Sequence, residues 1–80
     1  MHYVYIIQST IYPEKKYIGC TENIKKRLYN HNSGTTPHTK KYEPWKILLC
    51  MCFKHKNKAI EFEQYLKSGS GRAFAKKRLI

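Results

Sequence analysis

The stretch Tyr17-Ile18-Gly19-Cys20-Thr21-Glu22-Asn23-Ile24-Lys25-Lys26-Arg27-Leu28-Tyr29-Asn30-His31 sets how this chain folds. Its first residues are β-rich. Thr21 offers a hydroxyl able to cap a helix, and the helix that follows carries Arg27 and His31 four residues apart, hence on one face. At 100° per residue Ile24 and Leu28 mark the inward stripe, with Arg27 and His31 on its edge and Lys25, Lys26 and Tyr29 facing solvent. A surface helix normally turns its Arg and His outward. Two of them beside the apolar stripe point to a stripe that ends at a polar cleft.

On the N-terminal side, Tyr3 to Gln8 has the β-propensity of a strand, and Ser9 to Lys15, broken at Pro13, connects it to a second strand over Lys16 to Cys20. So short a connection predicts an antiparallel hairpin. The helix runs from Glu22 to about Asn32 and stops at Ser33-Gly34. Thr35 to Pro44, with two prolines and the cluster His38-Thr39-Lys40-Lys41, reads as a partner-facing surface loop. Trp45 to Phe53 is apolar on both pleat faces, as expected of a strand covered by helices above and below. Lys58 to Ser68 forms a second helix with Ala59, Phe62 and Leu66 inward. Glu63 lies within that stripe, and Glu61 faces solvent. Gly69-Ser70-Gly71 breaks the helix, and Arg72 to Leu79 forms a short basic terminal helix anchored by Phe74. The expected fold is α+β, a mixed α/β arrangement in which a small three-stranded antiparallel sheet is flanked by helices in the order β-β-α-β-α-α, all within one domain over residues 1–80.

Sixteen Lys and Arg against five Glu and no Asp give the 80 residues a net charge of +11, beyond the roughly 2 to 8 expected of a small soluble domain. Excess cation calls for an anionic partner, and nucleic acid fits best because its phosphates reward distributed Lys and Arg through counterion release. A membrane surface fits poorly: there is no long amphipathic basic helix, lipidation signal or long apolar run. Cys20, Cys50 and Cys52, odd in number and without CxxC spacing, suggest neither a disulfide framework nor a zinc site, and read as small core residues. With no signal peptide ahead of the first strand, the expected location is cytoplasmic.

The inward or half-inward polar groups are Tyr5, Tyr17, Arg27, His31 and Glu63, and each has a role available in phosphodiester hydrolysis. That reaction needs a deprotonated water, a cation against the developing charge, and an oriented scissile group. Arg27 can grip a phosphate through two parallel N–H bonds, and Glu63 can hold one hard divalent ion completed by waters and a phosphate oxygen. A tyrosine is a poor base, with an ordinary pKa near 10, unless a metal and neighbouring cations lower it. The plainer alternatives are packing tyrosines, a helix-end histidine, and a Glu63 that only pairs with Arg27 inside the fold.

The ordered set of motifs resembles the GIY-YIG nuclease superfamily, and among its members the small stand-alone proteins similar to the catalytic module of the repair excinuclease. Val4-Tyr5-Ile6 matches the first half of the name-giving motif with valine for glycine, and Tyr17-Ile18-Gly19 matches the second. The likeness continues through Arg27 and His31, Thr39-Lys40-Lys41, Pro44-Trp45-Lys46, the Ala59, Glu63 and Lys67 spacing and Gly69-Ser70-Gly71-Arg72-Ala73-Phe74. One departure is Ala75, where larger members often carry asparagine. The resemblance implies a metal-dependent endonuclease acting on DNA, in repair or recombination. It places one Mg²⁺ or Mn²⁺ on Glu63, Arg27 on the phosphate, Tyr5 as base, Tyr17 as orienter and His31 assisting. Lys40, Lys41, Arg72, Lys76 and Lys77 are the expected nucleic-acid contacts, with room for a protein partner. The alternative is a non-catalytic nucleic-acid-binding module that keeps fold and charge.

Overall fold

A computed structural model describes residues 1–34 and 36–80. Thr35, where the expected loop begins, lies outside them. The elements are β1 (His2–Ser9), β2 (Lys16–Thr21), α1 (Ile24–Asn32), the short α2 (Pro37–Lys40), β3 (Trp45–Phe53), α3 (Lys56–Lys67) and α4 (Gly69–Arg78). The sheet is antiparallel with strand order β2-β1-β3, and Tyr5 stands opposite Gly19 on one side and Cys50 on the other. The architecture is the expected three-stranded sheet with helices, with α2 added inside the expected loop. No helix among the described residues is long and apolar enough to cross a membrane.

Because β1 pairs on both edges, it is β1 and not β3 that is buried on both faces. Val4 and Ile6 point one way, into a core with Ala59, Leu66 and Ala75 from α3 and α4. Tyr5 and Ile7 point the other way, joining Trp45 with Tyr17, Ile24, Leu28 and Tyr42 around α1. The alternation follows from the two-residue period of a strand. The expectation for β3 is corrected accordingly: as an edge strand it lays Leu49 and Phe53 on the first core and leaves Ile47, Leu48, Cys50 and Cys52 exposed. Of the three thiols, only Cys20 is partly buried, so the reading of all three as core residues fails where the strand lies at the edge.

Helix boundaries show where local chemistry won. α1 is capped by Asn23, whose side chain accepts from the Lys26 amide, while Thr21 Oγ1 accepts one step earlier from the Asn23 amide. The cap is thus Asn23 and not Thr21, and the helix starts two residues later than expected. It ends at Ser33 with Gly34 at φ 78°, a left-handed conformation that glycine adopts at little cost. Between α3 and α4 the break falls at Ser68, which is extended and caps α4 by accepting from the Gly71 amide. Gly69 and Gly71 therefore belong to α4 and do not break the chain there. Phe74 is 38% exposed, whereas Ala75 and Gly71 are buried, so the terminal helix is anchored by its small residues and not by its aromatic one.

The anchoring depends on a close backbone approach. A Cβ built on Gly71 would come within 1.7 Å of the Tyr65 carbonyl oxygen, while one on Gly69 meets nothing within 4 Å. Gly71→Ala should therefore push α4 off α3 and cost about 3 kcal/mol or more, the upper end of overpacking. Gly69→Ala should be neutral or mildly stabilising. Urea midpoints of the two variants check the contrast.

Candidate active site

Four of the five expected polar residues gather on the α1 face and edge of the sheet, and the fifth, Glu63, lies on α3 in the layer across the sheet. β1 brings Tyr5 and β2 brings Tyr17 to the same face, their ring centroids 6.5 Å apart. Gly19, opposite Tyr5 across the ladder, has no side chain, and the phenol occupies that space: a Cβ there would lie 2.3 Å from the Tyr5 oxygen. α1 contributes Arg27, half-buried, and His31, fully buried. His31 thus sits deeper than the edge position its place on the helical wheel indicates.

A chain of hydrogen bonds fixes the histidine. Thr39 Oγ1 donates to the Thr36 carbonyl oxygen at 3.2 Å, so its 2.9 Å contact with His31 Nδ1 must use an N–H from the ring. The opposite nitrogen, Nε2, then accepts from the Tyr5 hydroxyl at 3.0 Å. His31 is held as the neutral Nδ1–H tautomer, and burial, reinforced by the Arg27 charge, pushes its pKa below the ordinary 6.5. The Tyr17 ring packs 5.0 Å from the imidazole.

Thr39 belongs to the site, although in the sequence it stands out only as part of a basic loop. It is buried on α2 because Trp45 holds that helix: the indole Nε1–H donates to the Thr39 carbonyl oxygen at 2.8 Å. Asn32, at the end of α1, grips Trp45 in turn, its amide donating to the Trp45 carbonyl at 3.1 Å and its oxygen accepting from the Trp45 N–H. The available signal is a threonine one helical turn after Thr36 and followed by an indole.

Tyr5 is 1% exposed, and burial pushes its pKa up to about 12, against the lowering charge and hydrogen bond of Arg27. The expectation that surrounding cations lower a tyrosine is thus reversed for Tyr5: desolvation outweighs them. Cys20, on the far face of β2, is raised by burial first and then by Glu63, with Arg27 and Lys56 acting against both.

Glu63 is half-buried on α3, its side chain 18% exposed, and its partner is Lys67, not Arg27: Lys67 Nζ lies 3.0 Å from Glu63 Oε2, one helical turn on. Among the described residues no group of three or more His, Cys, Asp and Glu side chains could cage a metal ion. The five expected cationic contacts, Lys40, Lys41, Arg72, Lys76 and Lys77, are all exposed. Of these, Arg72 lies in a groove with Lys16, Tyr17 and Lys67 beside β2.

Known proteins resemble this chain in sequence and in fold. The chain belongs to the GIY-YIG family: the family model described as the GIY-YIG catalytic domain matches residues 1–78. A UPF0213 protein of Bacillus licheniformis is 36% identical over 67 residues, 82% of this chain and 67% of its own length. The structure-specific endonuclease subunit SLX1 of Debaryomyces hansenii is 38% identical over 71 residues, which are 80% of this chain and 20% of that protein, so this chain spans only a fifth of it. The solution structure of a UPF0213 protein from Bacillus halodurans superposes with a TM-score of 0.56 at 28% identity, covering 94% of this chain and 79% of the other.

Gly19→Ala puts a methyl where the phenol lies, so it should break the Tyr5–His31 bond and destabilise the fold by roughly 1–3 kcal/mol, readable as a lowered melting midpoint with an altered Tyr5 ring signal in NMR. The site also makes stability depend on pH. The unfolded chain takes up a proton near 6.5 that folded His31 refuses, so its contribution to stability is present above that pH and is lost as pH falls below it. His31→Gln should flatten this part of the stability–pH curve, measured by denaturant titration at successive pH values.

Proposed function

We propose that this chain is an endonuclease that hydrolyses phosphodiester bonds in DNA with one Mg²⁺ or Mn²⁺, in repair or recombination. Membership of the GIY-YIG family and the endonuclease relative SLX1 support an endonuclease. The observation that carries the reading is the buried chain from Tyr5 through His31 to Thr39, beside Arg27. A packing tyrosine needs no histidine held in one tautomer with its acceptor nitrogen aimed at the phenol.

The high pKa of Tyr5 limits how it can act as base. A free phenolate is scarce near neutral pH, so the phenol takes a proton from water only as it gives up its own. His31 Nε2 already accepts that hydrogen, and the resulting imidazolium keeps its Nδ1–H on Thr39. Tyr17 orients the water, and Arg27 grips the phosphate through its planar fork.

Glu63 is the residue to hold the divalent ion. Its carboxylate already carries a cation, the Lys67 ammonium, and a hard ion needs no more than one protein carboxylate when waters and phosphate oxygens complete its shell. When bound, the ion supplies charge against the oxygen that leaves with the electrons of the broken bond.

The experiment is a cleavage panel of duplex, single-stranded, flapped and junction DNA with and without Mg²⁺ or Mn²⁺. Cutting that requires metal supports the proposal, and salt-sensitive binding without any cutting would leave the non-catalytic nucleic-acid-binding module instead. Glu63→Gln removes one half of a partly exposed pair, so stability should change by about 1 kcal/mol or less while cleavage disappears and DNA binding persists, which separate denaturation, cleavage and binding assays can read. Arg27→Lys keeps the charge but loses the two-point grip, so cleavage should fall at least tenfold while binding weakens little; single-turnover rates test it.

A further inference from the structure

A concavity lies outside the hydrogen-bonded cluster just described, on the other side of β2. We infer that this groove seats one unpaired base of the substrate strand next to the phosphate being cut, an inference that rests on the nuclease reading. The groove holds about 450 Å³; Tyr17, Ile18 and Ile80 give it apolar surface above the buried Leu66 and Ala75, and Lys16, Lys67 and Arg72 surround it. A nucleobase is flat and apolar on its faces and is flanked by phosphates, which is the chemistry of such a floor and rim. The rim also includes one acid, Glu14, so its balance is three cations to one carboxylate.

Two residues join the groove to the reacting centre. Tyr17 lines it and also packs against His31, and Lys67 lines it while its ammonium lies 3.0 Å from Glu63 Oε2. A nucleotide seated there has a phosphate within reach of the proposed metal carboxylate and of Tyr17. Around Arg27 a second hollow is lined by polar residues alone, with Lys26 and Arg27 against the one carboxylate of Glu22, suited to backbone phosphate and not to a base. The strand therefore runs from the Arg27 side across the tyrosines into the groove.

A stacked and paired base cannot enter such a groove without leaving the duplex, and that unstacking is least costly where the base is already unpaired. The arrangement thus favours flaps, overhangs and gaps over continuous duplex through base burial as well as through charge.

The test is binding without metal, read by NMR, so it does not depend on cleavage. A short oligothymidylate is compared with an abasic strand of equal length and phosphate count. The oligothymidylate should bind roughly tenfold more tightly, as base stacking contributes in single-strand binders, and should shift the methyl signals of Ile18 and Ile80, which the abasic strand leaves in place. Arg72→Ala should weaken both strands severalfold without lowering the melting midpoint. Equal affinities, unmoved methyls, or a base-dependent response confined to exposed aromatics such as Tyr29 would overturn the inference. So would methyls that respond to an acidic peptide and not to the oligothymidylate. Base-dependent methyl shifts in a protein that cuts none of the DNA panel would keep the groove and refute the nuclease reading, so the two failures are separable.

Discussion

The hydrogen bond from the Tyr5 hydroxyl to His31 Nε2 holds the site together. It spans 26 residues of sequence and ties the central strand to α1, with both side chains buried. Several otherwise unrelated choices in the sequence serve it. Gly19 vacates the space the phenol fills, Thr39 fixes the far nitrogen, and Trp45 and Asn32 hold the elements that carry Thr39 and His31. Burial strengthens the bond electrostatically and also removes the alternatives, since both groups are neutral where they sit.

The two faces of β1 divide the work. One face packs Val4 and Ile6 against α3 and α4 and supplies the larger aliphatic core, while the other face buries the polar chain under α1. Glu63 belongs to the aliphatic side, on α3, where its partner is Lys67. With helices on both faces of the sheet, the fold keeps the Glu63 carboxylate and the Arg27 guanidinium in different layers and unpaired. In the proposed mechanism their separation matters, because an Arg27–Glu63 ion pair would neutralise both the group assigned to the phosphate and the group assigned to the metal.

Much of this is legible from residue types. The helical wheel picks out Arg27, His31 and Glu63 as polar groups out of place, and the β-propensity of Tyr3 to Gln8 marks the strand that carries Tyr5. Depth and order are not legible in the same way. Tyr3 to Gln8 and Trp45 to Phe53 are both apolar on two faces, and only pairing decides that β1 is central; the longer run is the wrong choice for the covered strand. Exposed Cys50 and Cys52 follow from the same edge position. The Lys67 partner of Glu63 lies at ordinary helical i,i+4 spacing and is readable, whereas a long-range pair with Arg27 does not form. Desolvation of Tyr5 is invisible in the sequence because it depends on three elements meeting over one phenol.

In the proposed mechanism a neutral imidazole, and not a free phenolate, sets the reactivity of Tyr5. The pH dependence of single-turnover DNA cleavage at saturating metal separates the two. If His31 is the proton acceptor, the rate should rise with pH through the depressed His31 ionisation below 6.5 and then level off. A rate that stays low near neutral pH and keeps climbing toward the Tyr5 value of about 12 would show direct phenolate catalysis and contradict this mechanism.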